Sequence, residues 1–115
     1  MRASDPSLVL DLSQLRDLTL DDEELMREVL NALIDDTGRQ LRLLSNAIDQ
    51  QDSRVCVRLA HYCKGACANV GANRAAAMLK QMEDNASRGD FALCAAALQT
   101  LESELVQLRH EADAM

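Results

Sequence analysis

From Met26 onward, apolar side chains return at intervals of three and four. Met26, Val29, Leu30, Leu33, Ile34, Thr37, Leu41, Leu44 and Ile48 keep a 3.6-residue beat, the period of a helix with one buried face. Asp21-Asp22-Glu23-Glu24 precedes this run. Acids gather at a helix start because the macrodipole favours them there, and Glu24 follows Asp21 at capping-box spacing. Gly38 interrupts the pattern as a candidate bend rather than an end. Upstream, Leu12, Leu15 and Leu18 predict a short helix over 11–18. Downstream, Asp52 caps a third long helix that stops at Gly71, a natural C-terminal glycine. Ala75, Met78, Leu79, Met82 and Ala86 share one face of a fourth, over 73–87, with both methionines as core filling. Gly89-Asp90 ends it and opens a fifth, from Phe91 to about Glu111. Four long amphipathic helices with connections of two to five residues predict an all-α protein, an antiparallel four-helix bundle with a short additional N-terminal helix. The expected division is an N-terminal tail over 1–10, with 1–7 disordered, one bundle over 11–112, and a C-terminal tail over 113–115.

Composition narrows the function. The 115 residues are 48% hydrophobic, but there is one Phe, one Tyr and no Trp, so the core must be aliphatic, Met, Ala and Cys. One Pro and four Gly leave little for the turns of a β-sandwich. A net charge of −7 argues against nucleic acid or an anionic membrane as partner. The longest apolar run, Phe91 to Leu98, is too short to span a bilayer, and the N-terminus lacks the pattern of a secretory signal. Membrane insertion is therefore not expected, and the expected location is the cytoplasm. Cys56, Cys63, Cys67 and Cys94 form no CxxC pair and read as reduced, buried small hydrophobes.

The third helix carries the chemistry. At about 100° per residue, Cys56, Leu59, Ala60, Cys63, Ala66, Cys67 and Val70 form the core-facing stripe, and His61 falls roughly 160° from its middle. Arg54, Val57, Arg58, Gly65 and Ala68 share the outward face, with Lys64 on its flank. Gly65 follows His61 by one turn, in mid-helix, where glycine costs about 1 kcal/mol relative to alanine. A missing side chain beside an exposed imidazole suits close approach of another macromolecule. Between Ser53 and Met82 there is no Asp or Glu, while Arg54, Arg58, Lys64, Arg74 and Lys80 all fall inside. That basic window in an acidic chain suits an anionic group or an acidic protein surface.

A neutral imidazole nitrogen is a nucleophile that can carry a phosphoryl group as a phosphoramidate. An ammonium within one turn, Lys64, can offset its charge. No GxxxxGK[ST] loop or glycine-rich kinase loop is present, so the chain has no evident means of using ATP. It reads as a carrier without kinase activity of its own.

The segment Ala60-His61-x-x-Lys64-Gly65-x-x-x-Asn69-x-Gly71-Ala72 resembles the signature of histidine-containing phosphotransfer (HPt) domains of bacterial multistep phosphorelays. Similarity continues at Met82-Glu83, at Arg88-Gly89-Asp90, at Asp21-Asp22 and over Ala47-Ile48-Asp49-Gln50, so it covers nearly the whole chain. The resemblance implies that His61 is phosphorylated by the aspartyl phosphate of a response-regulator receiver domain and passes the group to a second receiver Asp. A sensor or hybrid histidine kinase then stands upstream, and Mg²⁺ belongs to the receiver, with no cofactor bound by this chain. Lys64 would stabilise the phosphoryl group. Gly65 and Ala68 would admit the receiver, and Arg54, Val57, Arg58 and Tyr62 would line the docking face. Asn69 and Gly71 would form the turn after the helix, and Glu83 would orient the histidine. Two positions depart from the pattern. Cys63 stands for the usual Leu, and Tyr62 for a commonly small polar residue, so Tyr62 either tunes partner choice or packs against a neighbour.

Two other classes compete. A di-iron bundle uses Glu-x-x-His pairs facing inward, yet Arg58 precedes His61 by three and Gln107 precedes His110. His110, near the C-terminus, reads as a solvated surface residue. The second rival is a docking module that keeps the bundle and no longer transfers phosphate. Such a module would be expected to lose His61 or Lys64, and both are present.

Overall fold

Each predicted helix forms, and its ends follow from capping chemistry. The computed structural model describes residues 5–115. α1 spans Leu12–Thr19, α2 Glu23–Asp49, α3 Ser53–Val70, α4 Asn73–Ser87 and α5 Phe91–Asp113. Asp11, Asp22, Asp52 and Asp90 accept from the backbone N–H three residues on at 3.1–3.2 Å, satisfying donors that have no partner inside the helix. The cap of α2 is thus Asp22, not the expected Asp21. Asp21 adopts φ +63° and Leu20 φ +55° to turn the chain out of α1. α2 continues through Gly38 without a break.

α3 ends at Gly71, φ +93°. The Ala72 N–H reaches back to the Cys67 carbonyl at 2.9 Å and the Gly71 N–H to Ala68 at 3.3 Å, a Schellman closure that needs a left-handed residue. A Cβ here would also lie 2.8 Å from the Asp11 carbonyl oxygen. α4 has no side-chain cap, because Ala72 stands at its start. The carbonyl of Leu8 supplies the missing acceptor, taking the Arg74 N–H at 2.9 Å, while the Asp11 N–H donates to Gly71 at 2.8 Å. Residues 8–10 fall within the expected tail, yet they are pinned across the α3–α4 turn, with Val9 and Leu10 packed on the core. Of the segment expected to be disordered, residues 1–4 lie outside the described residues. At the other end, α5 takes in Asp113, the first residue of the expected C-terminal tail, and Met115 packs against the core.

α2 packs on α3 and α5, and α4 on the same two, which closes a four-cornered bundle; α1 lies across α2 and α3. Leu30, Leu44, Leu79, Met82, Leu101 and Leu108 fill its axis. The stripe expected on α3 is buried except at its flanks, where Leu59 and Ala66 are half-buried. α3 and α4 make the most extensive helix pair, and small residues explain it. Ala60, Cys63 and Cys67 on one side and Ala72, Ala75 and Ala86 on the other are buried and let the two axes approach. All four cysteines are free and buried. Loss of water raises Cys56 and Cys67 to about 11 and Cys63 to about 12, which keeps them protonated and inert. Among the described residues, no helix is long and apolar enough to cross a membrane.

Candidate functional site

The close α3–α4 contact builds the site. His61 stands outward from the middle of α3 with 66% of its side chain exposed. Glu83, from the facing turn of α4, reaches its Nδ1 with Oε2 at 3.2 Å and Oε1 at 3.4 Å. The same carboxylate accepts from Lys64 Nζ at 3.0 Å. Glu83 therefore bridges the imidazole and the ammonium. The Lys64 hydrogen bond is the largest of several effects that hold its carboxyl below the ordinary 4.5, so it is an anion at neutral pH. An anion at Nδ1 favours the tautomer with its proton on that nitrogen. The lone pair is then left on Nε2, the ring nitrogen that Glu83 does not contact.

Around the imidazole the surface is shallow. A Cβ on Gly65 would meet no atom within 4 Å, so nothing inside the protein requires glycine there. Val57 and Ala68 are half-buried beside it, and Arg54 and Arg58 are exposed. Next to Lys64 lies an open, mostly apolar hollow of about 300 Å³ lined by Pro6, Lys64, Ala68, Asn73, Ala76 and Ala77. The sequence reading missed Pro6, Ala76 and Ala77. The alanine run 75–77 signals a smooth helix face, but only the docked N-terminal segment brings Pro6 alongside it.

Tyr62 is half-exposed and points toward α2, where its hydroxyl donates to Asp36 Oδ2 at 2.7 Å. That bond is the leading cause of a lowered Asp36 carboxyl and a raised Tyr62 hydroxyl. Of the two roles left open for Tyr62, contact with a neighbour is therefore present. Asp36 was not anticipated, because nothing local marks it as opposite α3. Asn69 is exposed on the last turn of α3, and Gly71 is the buried cap.

The basic window does not survive folding intact. Arg74 turns to Glu104 and Gln107 on α5, Lys80 pairs with Asp84 at 3.1 Å, and Lys64 is held by Glu83. Arg54 and Arg58 alone of the five carry no ion pair among the described residues. A charge count along the chain ignores partners contributed by the next helix. His110 is exposed. Among the described residues, no group of three or more His, Cys, Asp or Glu could hold a metal ion.

The arrangement offers an accessible, oriented ring nitrogen, a nearby ammonium and open ground for a partner. A family model described as "Hpt domain" matches residues 28–111. Among solved structures, the chain is similar to histidine-containing phosphotransfer protein B (HptB) from Pseudomonas aeruginosa PAO1. Identity is 27% over 94% of each chain, with a TM-score of 0.85. A rice protein provisionally assigned to histidine-containing phosphotransfer shares the fold at 20% identity and a TM-score of 0.81, over 92% of this chain and 78% of that one. No curated protein sequence matches significantly.

Proposed function

The chain belongs to the Hpt domain family, whose members are histidine phosphotransfer carriers, and on that premise we propose that His61 is the phosphoryl-carrying residue of a phosphorelay. The donor is the aspartyl phosphate of a response-regulator receiver domain. His61 Nε2 attacks phosphorus in line, the N–P bond forms as the acyl P–O bond breaks, and the receiver carboxylate departs. The Nδ1 proton remains on the ring, hydrogen-bonded to Glu83, whose charge offsets the positive charge that develops there. Lys64 rotates from Glu83 toward the phosphoryl oxygens. Transfer to a second receiver Asp is the reverse step on a different partner, and Mg²⁺ is supplied by the receivers. A sensor or hybrid histidine kinase feeds the relay, and this chain acts as a carrier and not as a kinase.

Docking uses the outward face of α3. Gly65 and Ala68 admit the receiver's active-site loops, Val57 and Tyr62 give apolar contact, and Arg54 and Arg58 meet an acidic surface. The observation that carries this reading is the exposed His61 side chain with Glu83 at Nδ1, which leaves Nε2 as the ring nitrogen that Glu83 does not contact. The test is incubation with a phosphorylated receiver, and separately with phosphoramidate, followed by intact mass and an acid-lability assay. One acid-labile phosphoryl group, absent from a His61→Gln variant of unchanged helicity, is the expected result. No gain with either donor would leave a docking module that has lost the transfer.

A further inference from the structure

Next to His61 stands an aromatic ring whose hydroxyl is already taken. Tyr62 is the one large apolar side chain of α3 that is exposed, at 51%. Its hydroxyl donates to Asp36 Oδ2 on α2 at 2.7 Å. The other carboxylate oxygen, Oδ1, accepts from Gln40 Nε2 at 3.5 Å and lies 3.5 Å from Arg39 Nη2. Gln40 and Arg39 are one turn further along α2, so the acceptor is itself steadied from its own helix. Arg39 also offsets the Asp36 charge, which would otherwise oppose an acidic partner.

The hold on Tyr62 comes from α2 alone. One turn away on α3 stand Arg58, Leu59, Gly65 and Ala66, none of which has a side-chain acceptor. A hydrogen bond between two partly exposed side chains adds little to the stability of a bundle, so the fold gives weak reason for this one. Binding gives a stronger reason. A surface side chain that must be immobilised when a partner packs on it weakens affinity several-fold, and a side chain immobilised beforehand does not. Aromatic rings are also where interfaces concentrate their binding energy. With its hydroxyl bound inside the protein, Tyr62 meets a partner as an apolar ring, and a partner seeking a hydrogen bond there must first break the bond to Asp36.

On the premise of the phosphorelay reading, we infer that Asp36 is a positioning residue for receiver docking, holding the Tyr62 ring as a pre-set apolar anchor and so favouring receivers that offer an apolar contact at that point. The probe is the receiver domain that binds the parent chain most tightly among a panel of bacterial receivers. Titration calorimetry gives Kd, and transfer from the phosphorylated receiver gives KM and kcat. Asp36→Ala should raise Kd and KM about three- to tenfold, with kcat and the labelling of His61 by phosphoramidate unchanged. Tyr62→Phe keeps the ring and should raise Kd to the same extent, and the double variant should bind no worse than either alone. Asp36→Asn retains an acceptor and should recover most of the loss. Should Asp36→Ala misfold, Tyr62→Phe and Asp36→Asn carry the comparison. Unweakened binding by Asp36→Ala or Tyr62→Phe, additive losses in the double variant, or a fall in kcat at constant KM would overturn the inference. Receiver binding that follows the expected pattern, with no phosphoryl transfer from the receiver or from phosphoramidate, would instead refute the carrier reading and uphold the role of Asp36.

Discussion

Glu83 is where the geometry makes the sharpest demand on the proposed chemistry. Replacing it with alanine removes the acceptor at His61 Nδ1 and the counterion of Lys64 together. A hydrogen bond to a charged group is worth about 1.5–3 kcal/mol in a sheltered setting. Here the contacts are 3.2 and 3.4 Å and the imidazole is two-thirds exposed, so solvent screening leaves about 1 kcal/mol. If that energy orients the ring in the transition state, transfer slows about fivefold. The freed Lys64 acts in the other direction on the product, favouring phosphohistidine once formed. Initial rate and final occupancy should therefore separate, with the first falling and the second holding or rising. Rapid-quench transfer from a phosphorylated receiver measures the rate, and intact mass at completion measures the occupancy. Glu83→Gln keeps a carbonyl acceptor for Nδ1–H and should stay within about twofold of the parent rate. An alanine variant as fast as the parent, or a glutamine variant as slow as alanine, would refute orientation through Nδ1.

Other expectations follow from single residues. Gly65→Ala should raise the melting temperature slightly, by about 1 kcal/mol of stability, because its Cβ enters open space. Gly65→Glu should keep the fold and abolish receiver-dependent transfer, and normal transfer in that variant would disprove close approach over Gly65. Gly71→Ala should cost about 2 kcal/mol or more in chemical denaturation, since it combines φ +93° with a 2.8 Å approach to the Asp11 carbonyl. The four thiols should resist iodoacetamide in the native protein and react fully in denaturant. Their folded values, about 11 to 12 for Cys56, Cys63 and Cys67, lie above the ordinary 9.0. The stability they favour is therefore complete below pH 9 and lost as pH rises toward 11–12, and Cys63→Ala should flatten that alkaline loss in thermal melts.

The helices were legible because their signals are local. Asp52 and Asp90 cap, Gly71 stops α3, and the 3.6-residue spacing of α2 survives Gly38. The expected capping box at Asp21 failed by one residue because two adjacent aspartates offer the same chemistry, and the left-handed turn at Leu20-Asp21 selects between them. The N-terminal tail failed for a different reason. α4 starts at Ala72 without a side-chain cap, and that vacant acceptor role draws the Leu8 carbonyl from more than sixty positions away. No window along the chain contains both partners.

What the sequence determined by itself is the α3 face: His61, Lys64, Gly65 and Ala68 turn outward because Ala60, Cys63 and Cys67 must turn inward, and helical geometry fixes the angle between them. What only the tertiary structure decided is the company those residues keep. Glu83 reaches the imidazole because small residues on α3 and α4 let two helices close together. Tyr62 is held by Asp36 across the α2–α3 contact, and Arg74 and Lys80 are drawn out of the basic window by acids on α5 and α4. Periodicity fixes the direction in which a side chain leaves its own helix, whereas its partners depend on how closely and in what register two helices pack, which their joint burial sets.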